Sequence, residues 1–146
     1  MYKELLLRCA KDIPYVKPQA PCTEQEIRDA EKAVGVSFPS ELSALLSEMN
    51  GDGWLFLSAK EIGERAVLNR QGFFDCFDSE EEYEEKVGRF LFFATNSCGD
   101  DYGYRITKDR KADTSAIVLW EHEEFTHRVV ANDISDLIER YFRNEI

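Results

Sequence analysis

The chain has two histidines, and they stand close together in His122-Glu123-Glu124-Phe125-Thr126-His127. The segment invites comparison with H-E-x-x-H, in which histidines four residues apart on a helix reach one zinc ion. Here the interval is five, and the surroundings read as a turn running into a strand. On a strand an odd interval sends the two rings to opposite faces. The segment is therefore not read as a zinc site. The four cysteines, Cys9, Cys22, Cys76 and Cys98, show neither C-x-x-C spacing nor a histidine at zinc-ligand distance. They fit free, mostly buried thiols in a reducing cytosol.

Other catalytic patterns fail as well. No G-x-S-x-G elbow presents a serine. No G-x-x-x-x-G-K-[ST] or G-x-G-x-x-G loop could cradle a phosphate. Asp100-Asp101 and Glu123-Glu124 would converge on a divalent cation if two hairpins met, giving a metal-assisted hydrolase built on Asp100, Asp101 and Glu123. Solvated turn carboxylates are the simpler reading of these residues. The expectation is no catalytic residue, no metal and no cofactor.

Binding chemistry has better material. Between Asp75 and Glu85 lie seven acids, Asp75, Asp78, Glu80, Glu81, Glu82, Glu84 and Glu85, with no base among them. Such a run is either a solvated helix face or a docking surface for a basic partner. Phe73, Phe74 and Phe77 lie beside it, and Trp54 stands in an apolar run. Aromatic side chains next to acids suit a protein-binding patch. Trp54 is better read as core, whereas Phe73 and Phe74 fit core and interface equally.

The whole chain sets the background. It has 146 residues and a net charge of −11, with 43% hydrophobic residues. That length suits one domain, 1–146, with a core sufficient without disulfides. Residues 1–36 hold six bases and six acids, so the remaining residues carry all the negative charge. Attraction to nucleic acid or to an anionic membrane is disfavoured, and cationic partners are preferred. No signal-like segment follows Met1, and no apolar run approaches a membrane span, none being longer than Phe90 to Ala94. A cytoplasmic location follows as an expectation.

Helices, then strands, then a last helix must position these residues. Tyr2 to Lys11 reads as a helix, and the proline-bearing stretch from Ile13 to Cys22 as a connector. Thr23-x-x-Glu26 is a capping box that opens a helix with Ile27, Ala30 and Val34 on one face, closed by Gly35. Pro39 opens a second helix with a stripe of Leu42, Leu45, Leu46 and Met49, ended by Asn50-Gly51. The two helices are expected to pack together. Trp54 to Leu57 reads as a strand, and Ser58-x-x-Glu61 caps a brief helix from Ala59 to Ala66. Asn69 to Phe77 reads as irregular, and Ser79-x-x-Glu82 opens an acidic helix to about Val87. Phe90–Thr95, Tyr102–Thr107, Ala116–Trp120 and Thr126–Val130 read as strands joined by turns, which suits antiparallel hairpins. Asp133 caps a final helix bearing Ile134, Leu137, Ile138 and Tyr141. The fold class is α+β, a single domain with a mainly antiparallel sheet.

The order of these pieces resembles the SUKH superfamily. Ile27, Glu31 and Gly35, then Phe38-Pro39, then Leu42, Leu45 and Leu46, then Asn50-Gly51 are similar to its helix–Leu-Pro–helix–Asn-Gly pattern. Gly99-Asp100 before Tyr102 and Tyr104 looks like its glycine-acid turn, and Trp120-Glu121-His122-Glu123 looks like its aromatic strand ending in His-Glu. The resemblance spans about Thr23 to Tyr141. Phe38 stands where leucine is usual, and Asp52 where a second glycine is frequent, so the turn before Trp54 can differ.

The resemblance implies helices around a mainly antiparallel sheet. It implies a bacterial immunity protein that binds and neutralises a cognate polymorphic toxin, or, as in fungal relatives, a regulator of cell-wall assembly. It brings no catalytic residues. With the charge, the expected partner is a basic toxin domain, such as a nuclease, inhibited by occlusion; an adaptor module is the alternative, and a metal-assisted hydrolase a second one. The residues expected to meet the partner are Phe73, Phe74, Asp75, Asp78, Glu80, Glu81 and Glu84, with Asp100, Asp101, Glu121, Glu123 and Glu124 on the turns.

Overall fold

Alternating side chains, with one register irregularity in each strand pair, build the sheet. In a computed structural model describing all 146 residues, β1 (Phe90–Thr95), β2 (Asp101–Ile106), β3 (Ala112–Glu121) and β4 (Thr126–Ala131) pair in that order, each antiparallel to the next. Leu91 and Phe93 with Ile117 and Leu119 face one side, into the main core. Phe90 and Phe92 with Val118 and Trp120 face the other, into a smaller cluster. β1 and β2 approach closely at Gly103, where a Cβ would lie 2.2 Å from the carbonyl oxygen of Leu91.

Five of the six helices precede the sheet. They are α1 (Tyr2–Cys9), α2 (Glu24–Val34), α3 (Ser40–Glu48), α4 (Ala59–Phe73) and α5 (Glu80–Tyr83), and α6 (Ile134–Phe142) follows it. The full capping box at Thr23 and Glu26 is formed, and Gly35 ends α2 in the left-handed region at φ 84°. Leu42, Leu45 and Leu46 on α3 and Met49 after it are fully buried. Tyr104 on β2 donates a hydrogen bond to Glu41 on α3, whose other carboxylate oxygen accepts the Ile134 N–H that opens α6. The main core is thus tied to three elements at one carboxylate.

Several expectations need correction. Helix α2 packs along α4, whereas α3 meets α1, so the two N-terminal helices are not a mutual pair; Ile27 is only half-buried. Ala30 and Gly63 let α2 and α4 approach. Helix α4 runs to Phe73, past Ala66, and a 3₁₀ turn covers Phe74–Cys76, so the irregular stretch is mostly helical. The acidic helix is short, with a π-helical turn at Glu84–Gly88, and Ser79 caps it through the Glu82 N–H without the reciprocal bond. Strand β3 starts at Ala112, because Ala112 and Asp113 pair with Ile106 and Arg105 beyond a bulge. All four thiols are free, but Cys9 and Cys22 are half-buried and Cys76 and Cys98 exposed.

The Trp54–Leu57 stretch is not a full strand. It makes one isolated bridge, Phe56 to Ala94, with further bonds from Leu57 N–H to Phe93 and from Thr95 N–H to Leu55. The Asp52 carboxylate explains the rest: its Oδ1 accepts the N–H groups of Trp54, Leu55 and Phe56 at 3.0, 2.9 and 2.8 Å. The acid that stands where glycine was expected therefore folds this loop around itself. Trp54 is half-buried, packs on the core and stacks on exposed Tyr15.

Candidate functional site

An aromatic base underlies the acidic segment. Chain 73–88 crosses the second face of the sheet with its rings turned inward. Phe73 meets Trp120 and Phe125 edge-on, with centroids 6.1 and 5.3 Å apart. Phe74 and Phe77 both pack against buried Tyr83, and Phe77 also reaches Phe125 at 5.1 Å. Trp120 pins the cover by donating its indole N–H to the Lys86 carbonyl at 2.8 Å. Phe73 and Phe74 are therefore half-buried members of this cluster, not free-standing anchors.

The acids point outward, but the run is less uniformly negative than its sequence. Arg70 from α4 pairs with Glu80 at 3.1 Å and with Glu84 at 3.6 Å. It also lies over the Phe74 ring, 4.6 Å from the centroid. Arg110 from the β2–β3 turn reaches Glu84 at 3.6 Å, and Arg89 reaches Glu85 at 3.9 Å. These bases lie outside the run in sequence and are brought to it by the fold. Asp75, Asp78, Glu81 and Glu82 are exposed, and no base lies within ion-pair distance of them. Exposed pairs such as those of Arg70 contribute little each to stability, and Arg89, Lys108 and Arg110 line a shallow hollow with Glu80, Glu81 and Glu84.

Phe125 joins the β3–β4 turn to this face, so exposed Glu123 and Glu124 share it with the acidic segment. Glu121 is half-buried and accepts a hydrogen bond from Thr126. The two acids of the β1–β2 turn diverge. Asp101 is buried and takes Arg65 on both oxygens at 3.1 Å, locking α4 to β2. Burial pushes its carboxyl up to about 6, against the pull of Arg65. It is unavailable to a partner. Asp100 accepts the His122 backbone N–H at 3.2 Å and meets the ring Nδ1 at 2.7 Å. Partial burial opposes its ionisation, but the His122 hydrogen bonds prevail and lower its pKa, while that bond raises the pKa of His122.

The same geometry bears on the metal reading. Asp101 is spent on Arg65, Asp100 on His122, and Glu123 stands free on the turn. No three His, Cys, Asp or Glu side chains gather where an ion could sit. His127 lies away from His122, on β4 beside Arg105 and the edge of Phe90. No helix is long and apolar enough to cross a membrane.

A second surface feature escaped the sequence. Between α2 and α4 runs an open groove of about 670 Å³, and its walls include Val67 and Leu68, which are 45% and 59% exposed. Its signal was hidden because α4 was expected to stop at Ala66. The sequence matches the SMI1/KNR4 family (SUKH-1) over residues 21–140. No curated protein matches it. The family match covers most of the chain, and the chain belongs to this family.

Proposed function

We propose that this SUKH-1 member is an immunity protein that neutralises a cognate polymorphic toxin by binding and occluding it, without catalysis, in the cytoplasm of the producing cell. Family membership is consistent with an immunity protein or a related regulator. The observation that carries the finer reading is the row of unpaired acids, Asp75, Asp78, Glu81 and Glu82, displayed on an aromatic cover. A basic toxin domain, such as a nuclease with a cationic cleft, is the complementary partner. Acids on this face would occupy the positions that substrate phosphates take in such a cleft, and the turn acids Glu123 and Glu124 would widen the contact. Charge steering of this kind acts mainly on association and weakens as salt shortens the screening length.

The test takes the C-terminal domain of a large secreted protein, if the adjacent gene encodes one, and co-expresses it with the wild-type chain or with a variant carrying Asp75→Asn, Asp78→Asn, Glu81→Gln and Glu82→Gln. These changes leave the Arg70 pairs in place. The expected result is protection by the wild type, and slower association with weaker protection for the variant at low salt. Undiminished association and protection remove this face from the mechanism. An adaptor would give no protection and would instead bind proteins of the host cell.

A further inference from the structure

The geometry points to the groove between α2 and α4 as the seat of a basic amphipathic helix presented by the partner protein. This rests on the reading that the chain works by binding a protein, and it assigns a surface apart from the acidic cover. The floor is apolar, made by Ala30, Ala33 and Gly63, with Val67 and Leu68 standing exposed along one wall. Adjacent exposed valine and leucine, on a helix otherwise edged by charged side chains, supply apolar anchor points beside this floor.

Charge selects the occupant. Glu26, Asp29 and Glu64 rim the groove, and Lys60 is the one base among its lining residues. Lys60 lies 3.8 Å from Glu64, a loose exposed pair. Glu26 and Asp29 meet only uncharged groups: Glu26 the Thr23 N–H and the Asn50 amide, Asp29 the Gln25 amide. A segment with an apolar stripe flanked by lysine or arginine satisfies floor and rim together. A second copy of this chain does not, because a symmetric contact would set the acidic rims against each other in a molecule of net charge −11. Helix α4 is 15 residues long, about 22 Å at the usual rise. That length accommodates about three turns of an incoming helix, anchored at i, i+3 or i+4, and i+7. An adjoining hollow, which shares Ala33, Val67 and Gln71 with the groove, leads past Arg70 to Phe74 and Asp75.

The probe is a synthetic peptide of about four turns with leucines at helical spacing and lysines between them, compared with a shuffled peptide of the same composition. Binding is followed by amide chemical-shift mapping and by fluorescence anisotropy on the full chain. The expected result is shifts centred on α2 and α4, tighter binding of the amphipathic peptide, and affinity weakened about ten-fold or more by Val67→Ser with Leu68→Ser. These positions are exposed, so folding is retained, which circular dichroism verifies. Asp29→Asn with Glu64→Gln should flatten the salt dependence. Equal binding of the shuffled peptide, shifts centred on Asp75–Glu85, or no binding overturns the assignment. So does a sedimentation experiment showing a dimer that Val67→Ser with Leu68→Ser disperses. Toxin protection is read separately, so the groove can fail while the immunity reading stands.

Discussion

The face of the sheet that carries Leu91, Phe93 and Leu119 lies under α-helices with long apolar stripes, in a cluster of 30 buried residues. The opposite face, with Phe90, Phe92, Val118 and Trp120, is covered mainly by one strip of chain, 73–88, with Ala66 and Asn69 of α4 beside it, in a cluster of six. The first cover is built from α1, α3 and α6 and is spliced to β2 through Glu41 and Tyr104. The second consists of a 3₁₀ turn, a one-turn helix and a π-helical turn, pinned by the bond from Trp120 to Lys86. Stability follows buried apolar contact, so the first face should open only when the molecule unfolds, and the second should open locally. The weaker cover is also the one that displays the unpaired acids.

The largest effect should come from the first face. Leu46→Ala removes a fully buried side chain from α3 and should lower the unfolding free energy by about 2–5 kcal/mol. Denaturant unfolding followed by fluorescence and by circular dichroism should shift together. A loss below about 1 kcal/mol would mean that this core tolerates collapse and is not the stronger of the two.

Trp120→Phe probes the second face. It keeps an aromatic ring but deletes the donor to Lys86, a loss of about 1 kcal/mol with some packing in addition. Hydrogen exchange is the telling measurement. Amides of 83–89 should lose protection while those of Leu91 and Phe93 keep theirs. A uniform loss throughout the chain would erase the distinction between the two covers. The caps sharpen the same contrast. Ser58→Ala and Ser79→Ala each remove one side-chain cap, nominally about 1 kcal/mol. Helix α4 packs on α2 and β1, so the Ser58 change should appear in global unfolding. The Ser79 change should appear mainly as local exchange in 79–88.

The difference between the covers also explains what could be read before folding. Strand β1 matches the sequence reading because it is an unbroken apolar run, and helix α6 because its apolar stripe is unbroken; Asp133 marks the start of α6 by accepting the Asp136 N–H. Helix α4 was cut short because beyond Ala66 it carries Asn69, Gln71 and Gly72, and its apolar side is divided between core and groove. Trp54–Leu57 looked like a strand by composition, but Asp52 claims three of its amides, a competition no periodicity reports. Within the candidate site, the acids and rings were visible as residue types. Their pairing was not: Arg70 and Arg110 come from distant segments, and neighbouring Asp100 and Asp101 turn to different partners.

That divergence supplies the smallest and most local prediction, at the edge of the weaker cover. In the folded chain the bond to Asp100 raises the pKa of His122 above 6.5, and the His122 bonds lower that of Asp100 below 3.8. A histidine with a raised folded pKa adds stability that is complete below 6.5 and is lost as pH rises through the folded value. The Asp100 contribution has the opposite limb, present above 3.8 and lost as pH falls through its lowered value. The pair should therefore act between these limits. Asp101 behaves otherwise: its carboxyl, pushed up to about 6 by burial, binds a proton more readily folded than unfolded, so its contribution falls as pH rises from about 4 to about 6. In a proton NMR titration, Asp100→Asn should return the His122 ring toward 6.5. The stability difference from wild type should shrink as pH rises through the wild-type His122 midpoint. Asp101→Asn should alter the limb between about pH 4 and 6 instead, and should also release Arg65 from β2. A His122 midpoint unmoved in Asp100→Asn would show that the 2.7 Å contact is not held in solution.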